Sequence, residues 1–180
     1  MNARKTPFLI VLPYLALFIT LLLSYDRLPD PLASHFDARG IPDAWVSRAA
    51  YLAGTIGLAI FLPALVVGLC FALRYFPDSL INVPNRSYWL APERRAQMNV
   101  RFFQHSFWFA CLAILFVLGI HLCLVDANSQ QPPRLSLLPL TITAGGFLAG
   151  SLVWSLMLVW PYLKKVPHQE SSAASASRIS

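Results

Sequence analysis

The chain has 180 residues, of which 57% are hydrophobic and only 12% charged, with a mean hydropathy of +0.57; that is too apolar and too charge-poor for an ordinary soluble domain. A net charge of +6 would suggest nucleic acid in a soluble protein, but here the basic residues sit beside apolar runs, where anionic lipid headgroups are the natural partner, and no basic face is interleaved with aromatics. Cys70, Cys111 and Cys123 all fall inside apolar runs, so they indicate neither a disulfide framework nor a zinc knuckle and read as small buried hydrophobes.

Arg4 and Lys5 precede an apolar run, Pro7 to Leu23. It is longer than the 7–15 or so residues of a secretory signal's apolar region, and it meets Ser24-Tyr25-Asp26 rather than a small-residue cleavage site, so it predicts a membrane span, kinked at Pro13. A polar loop, Tyr25 to Arg48, follows. Ala49 to Leu73 is the second uncharged run, with Ser47 as N-cap, Pro63 near its middle, and Arg74, Tyr75 and Phe76 as an interfacial boundary. A charged segment, Arg74 to His105, leads to a third run, Phe107 to Val125, and the turn Asp126 to Ser136 leads to a fourth, Leu137 to Tyr162. Each run supplies about the 20 residues that a hydrocarbon core of about 30 Å requires of a helix. The expected fold is all-α: a polytopic integral membrane protein with four transmembrane helices.

Basic residues set its orientation. Arg4, Lys5, Arg74, Arg86, Arg94, Arg95, Arg101, Lys164, Lys165 and Arg178 fall on one side of such a four-span chain, against Arg27, Arg39, Arg48 and Arg134 on the other. Cytoplasmic loops carry the excess, so both termini are expected in the cytoplasm and the loop 25–48 outside. Three regions result: a two-span region, 1–105, holding the outer loop 25–48 and an inner segment 74–105; a two-span hairpin, 106–162; and a low-complexity tail, 163–180, expected to be disordered.

Within the outer loop, Asp30-Pro31 reads as a helix start, aspartate as N-cap and proline at the first helical position. A short helix from Pro31 would place Leu32 and Phe36 on one face and His35 beside it. Gly40 would then supply a left-handed conformation, and Pro42-Asp43 would begin the return to the membrane, with Trp45 at headgroup depth. On the inner side, Tyr88 and Trp89 read as interfacial aromatics, while Pro92 opens a helix that continues into the third span, with Glu93 near its positive end.

Chemistry-bearing groups are few. His35, Asp37 and Asp43, with His121, could be assembled into an external divalent-metal site, but His-x-Asp is a common spacing and zinc needs three or four converging ligands; caps and ties within the loop are the simpler reading. No metal and no cofactor is expected. His121 is the one ionisable residue well inside a span, which makes it a functional candidate, either as a satisfied interfacial histidine or as a pH-sensitive contact below the outer loop. Gly146 and Gly150, spaced G-x-x-x-G, would let helices approach closely. Phe102, Phe103, Phe107 and Trp108 read as an interfacial and lipid-facing belt. Coupled transporters place charged groups within spans, and no Asp, Glu, Lys or Arg lies inside any run here. No nucleophile elbow, H-E-x-x-H or phosphate-cradling glycine loop occurs, so no catalytic residue is assigned.

Two segments carry a resemblance. LPDPLASHFDARGIPDAWVS, Leu28 to Ser47, and NVPNRSYWLAPERR, Asn82 to Arg95, resemble the small domain of unknown function found in bacterial membrane proteins related to the SdpI-like immunity family, over roughly Pro7 to Arg95. The resemblance singles out Pro29, His35, Phe36, Gly40, Asp43 and Ser47 in the outer loop, and Asn82, Pro84, Asn85, Tyr88, Trp89, Pro92, Glu93 and Arg94 in the inner segment. It implies a bacterial inner-membrane protein. Members of that family protect their producer from a secreted killing peptide and can sequester a repressor at the membrane, although those larger proteins have more spans. The expected function is therefore non-enzymatic, immunity-like or envelope-signalling through the outer loop. Its partners would be the lipid bilayer and a peptide toxin or membrane protein, not nucleic acid. The alternatives are a small transporter and a metal-dependent membrane enzyme.

Overall fold

The computed structural model describes Phe8 and residues 10–164. Five helices, α1 (Val11–Ser24), α2 (Arg48–Ala72), α3 (Arg86–Trp89), α4 (Pro92–Ser129) and α5 (Leu137–Leu163), and one antiparallel strand pair, β1 (Leu32–Phe36) and β2 (Pro42–Val46), make up its regular structure. Among the described residues, α2 with its last turn, α4 and α5 are long and apolar enough to cross a membrane, consistent with a multi-pass membrane protein. Helix α1 covers 14 residues. Arg4, Lys5 and the expected tail from residue 165 lie outside the described residues.

The helix ends follow from local chemistry. Ser47 is extended, and its hydroxyl accepts from the Ala50 N–H at 3.2 Å, capping α2. Pro92 stands at the start of α4, where no donor is needed, with Glu93 in the first turn. Pro13 falls in the first turn of α1, where its missing N–H interrupts no bond, rather than at a mid-helix kink. At about 1.5 Å per residue the 38 residues of α4 extend about 57 Å, nearly twice a hydrocarbon core. Its first four turns therefore project beyond the apolar run as a charged stalk, unbroken across residues 105 and 106.

Helix α4 is the axis of the bundle and packs against α1, α2 and α5. Leu17 and Leu21 of α1, Ala59 of α2, and Ile114 and Val117 of α4 form the central core, and the Tyr14 hydroxyl donates to the Ala59 carbonyl at 2.7 Å. Small residues set the approach of α4 to α5. A Cβ on Gly119 would lie 2.6 Å from the Thr143 methyl, and one on Gly150 would lie 2.9 Å from a Leu112 methyl. Gly150 thus packs as its spacing predicts, whereas Gly146 faces open space and leaves that half of the G-x-x-x-G pattern unused within the chain. Leu138, Leu148, Leu152 and Trp160 are exposed along α5, as a lipid-facing surface requires. The aromatic belt is more internal than expected: Phe102 stacks on Tyr162 and Phe103 meets Phe71 edge-on, although Trp108 remains exposed.

Candidate functional site

Leu32 to Phe36 is a strand, not the expected helix. Asp30 has no helix to cap at Pro31; its carboxylate instead accepts from the Arg48 N–H at 3.2 Å, tying the start of the loop to the start of α2. Arg48 completes that base by donating to the Tyr25 carbonyl at 3.0 Å and lying over the Tyr25 ring. The strands pair Leu32 with Val46 and Ala33 with Trp45, then His35 with Ala44 and Phe36 with Pro42 across bulges. The turn 37–41 is closed by Asp37. Its backbone N–H donates to the Ile41 carbonyl at 2.8 Å, and one side-chain oxygen accepts from the Arg39 and Ile41 N–H groups at 2.8 and 2.9 Å. Those backbone donors, the one from Ile41 foremost, with Arg39 beside it, hold the Asp37 carboxyl below the usual aspartate range. Gly40 is left-handed as expected, with φ +76°, but it closes a hairpin rather than a helix.

Two contacts fix this hairpin to the helices. Asn128, near the end of α4 and buried, treats β1 as a neighbouring strand would: its amide oxygen accepts from the Ala33 N–H at 2.8 Å and its amide nitrogen donates to the Ala33 carbonyl at 2.9 Å. The same nitrogen donates to the Leu124 carbonyl at 2.9 Å, which locks the side chain to its own helix. Leu32 and Ala33 are wholly buried. At the tip, the Leu135 N–H donates to the Gly40 carbonyl at 3.0 Å, so the α4–α5 connection holds the turn.

Below the hairpin, His121 joins three helices. It is 1% exposed, with Nε2 2.9 Å from the Ser24 hydroxyl of α1 and Nδ1 2.7 Å from the Tyr51 hydroxyl of α2. Ser24 also donates to the Leu21 carbonyl at 3.2 Å. A serine has one proton, so Ser24 must accept from Nε2–H, and Tyr51 must donate to the bare Nδ1. One assignment satisfies the neutral imidazole completely. His121 is therefore a buried ligature between helices, not a group at an open interface.

Much of the rest of the hairpin is open. His35 Nδ1 lies 2.5 Å from Asp43 Oδ1, both side chains well exposed, and Ile41 and Trp45 are about half exposed beside them. Phe36 is half-buried, and Pro29 is exposed. The structure does not bring the four candidate metal ligands together: Asp37 is turned onto its own loop and Arg39, and His121 lies under the helix ends. Among the described residues no three His, Cys, Asp or Glu side chains gather as a metal site.

At the far end of the bundle the inner segment braces α5 against α4. Asn85, left-handed at φ 54°, donates to the Tyr162 and Lys164 carbonyls at 2.8 and 3.1 Å and caps α5. Tyr88 carries the Arg94 guanidinium 3.9 Å above its ring, and Trp89 packs edge-on to Tyr162. Asp78 pairs with Arg95. Asn82, Pro84 and Glu93 are exposed. Asn128, Tyr51, Ser24 and Leu135 carry no motif in the sequence, because their roles depend on partners 70 or more residues away.

A family model described as a domain of unknown function, DUF1648, matches residues 11–67. No curated protein and no solved structure matches the chain. The matched stretch comprises α1, the whole hairpin and most of α2, so Asn128, which clamps the hairpin, and His121, which ties α1 to α2, both lie outside it, on α4.

Proposed function

We propose that this protein is a non-enzymatic, four-span protein of a bacterial inner membrane, and that its hairpin receives a secreted peptide or envelope signal on the outer face, in the manner of an immunity protein. One observation carries this reading: the hairpin is held at Ala33 and at Gly40 by hydrogen bonds to fixed backbone and a buried amide, while His35, Ile41, Asp43 and Trp45 face outward. Such a surface is preorganised, which lowers the ordering cost of binding. Its mix of aromatic, aliphatic and paired charge suits a peptide or a membrane protein partner better than nucleic acid. The apolar run Pro7 to Leu23 serves as the first of the four spans, and the basic residues of the inner segment set the termini in the cytoplasm.

The test is deletion and complementation under challenge with secreted killing peptides. Wild type should restore survival. Asp43→Ala and Trp45→Ala should fail to do so while accumulating normally in the membrane. A deletion strain as resistant as its parent to every peptide tried would end the immunity reading.

A further inference from the structure

At the end of the bundle away from the hairpin, Trp89, Gln97, Arg101, Gln104 and Tyr162 line a pocket of about 510 Å3 that has no acidic residue in its wall. Trp89, Arg101 and Tyr162 each carry a buried polar atom, Nε1, Nε and the hydroxyl, that has no hydrogen-bond partner. The Tyr162 side chain is almost completely buried. All three atoms can donate, and a buried donor left unmatched is costly. No carboxylate among the described residues pairs with Arg101, whose other contact is a long one of 3.4 Å from Nη2 to the Met157 carbonyl. The wall therefore asks for an acceptor carrying negative charge.

Arg101 also lines a second, adjoining groove with Leu156, Met157 and Trp160, three side chains about 60% exposed. A donor-rich pocket thus continues, across a single guanidinium, into an open apolar groove. Arg101 lies six residues before Phe107, about 9 Å along α4, which is close to headgroup depth when the apolar run from Phe107 fills the hydrocarbon core. From this juxtaposition we infer that the pocket binds the phosphate group of an anionic phospholipid, with an acyl chain along Leu156, Met157 and Trp160. Binding turns Arg101 onto the phosphate and gives the Trp89 N–H and the Tyr162 hydroxyl an acceptor. The lipid then acts as a wedge between the α4 stalk and the end of α5.

The full chain, purified in detergent, would be exposed to phosphatidylglycerol, to diacylglycerol with the same acyl chains and no phosphate, or to inorganic phosphate, and read by native mass spectrometry and thermal unfolding. Wild type should retain phosphatidylglycerol about tenfold better than diacylglycerol, the scale expected of charge-assisted hydrogen bonds, with a matching rise in Tm. Arg101→Gln should abolish the preference, whereas Arg74→Gln, at the same end but outside the pocket, should keep it. Trp89→Phe preserves the ring against Tyr162 and should weaken retention several-fold, which decides the matter if Arg101→Gln fails to fold. Equal retention of the two lipids, or a preference untouched by both pocket variants, would overturn the site. Displacement of the lipid by millimolar inorganic phosphate would overturn the lipid as occupant and leave a simple anion site.

Discussion

Gly40 and Leu135 meet backbone to backbone: the Leu135 N–H donates to the Gly40 carbonyl at 3.0 Å, and a Cβ on Gly40 would fall 2.3 Å from the Leu135 carbonyl oxygen. The glycine is thus required twice, by its left-handed φ of +76° and by the absence of space. Gly40→Ala should lose about 1–2 kcal/mol for the backbone conformation alone, with the clash adding to it, and should free the turn from the α4–α5 connection. Ala38→Val, on the exposed side of the same turn, should be tolerated. Thermal unfolding of the two purified variants checks this; equal stability would remove Gly40 from the anchor.

Asn128 makes a second prediction, because its amide supplies both a donor and an acceptor to Ala33. Asn128→Asp keeps the shape and the acceptor but removes the donor that serves the Ala33 and Leu124 carbonyls. The loss should be about 2–3 kcal/mol, in the range for a buried hydrogen-bonding group left unmatched beside a charge. In hydrogen exchange the hairpin 32–46 should open at least tenfold faster while α5 is unaffected. Unchanged protection of the Ala33 amide would show that the clamp does not hold the hairpin.

The helices were legible in the sequence because their lengths and caps are local properties. Ser47 and Pro92 mark the starts of α2 and α4, whereas α4 runs on to Ser129, past Asp126 where the turn was expected. Gly40 was legible for the same reason, since left-handed backbone and glycine go together. The hairpin was not, although Asp37-Ala38-Arg39-Gly40 between two short apolar-containing segments is itself a hairpin signal. Asp30-Pro31 and the four-residue spacing of Leu32 and Phe36 imitate a helix start, and what decides against it is tertiary: Asp30 is engaged by Arg48, and both edges of Ala33 are accounted for by β2 and by Asn128, 95 residues away. His121 was recognisable as exceptional, but its partners Ser24 and Tyr51 lie on other helices and only packing brings them together.

The Tyr51–His121–Ser24 chain should behave as one unit. Tyr51→Phe removes a single hydroxyl and leaves Nδ1 of His121 without a donor, and His121→Phe leaves both hydroxyls without the ring. Each should lower stability by about 1–2 kcal/mol, and the double variant should lose less than their sum by about 1 kcal/mol. Strict additivity in thermal unfolding would mean that the two side chains contribute independently and that the chain is not one unit.

Asp37 gives the hairpin a pH dependence of defined sign. Its folded-state pKa lies below the usual aspartate value because the Ile41 and Arg39 N–H groups and the Arg39 side chain favour the carboxylate. Stabilisation of the turn is therefore complete above the ordinary aspartate pKa and is lost as pH falls through the lower folded value. The Ile41 amide resonance should report a titration below the ordinary aspartate range in wild type and none in Asp37→Asn. A midpoint at or above the ordinary value would contradict the capping role.

The proposed membrane orientation rests on the unequal number of basic residues at the two ends. The hairpin end carries Arg27, Arg39, Arg48 and Arg134, while Arg74, Arg86, Arg94, Arg95, Arg101 and Lys164 cluster at the other. The cytoplasm retains the more basic end, so the hairpin should be outside. With Cys70, Cys111 and Cys123 replaced, single cysteines at Ala38 and Ser136, both exposed at the hairpin end, should react with an impermeant thiol reagent in intact cells. A cysteine at Ala96, exposed on the α4 stalk, should react only after the membrane is opened. The Ser136 site matters because it separates two errors: labelling at Ala38 without Ser136 would mean that α4 and α5 do not form a membrane hairpin with its turn outside. Labelling at Ala96 alone would invert the whole molecule and place the hairpin in the cytoplasm, where no secreted peptide could meet it.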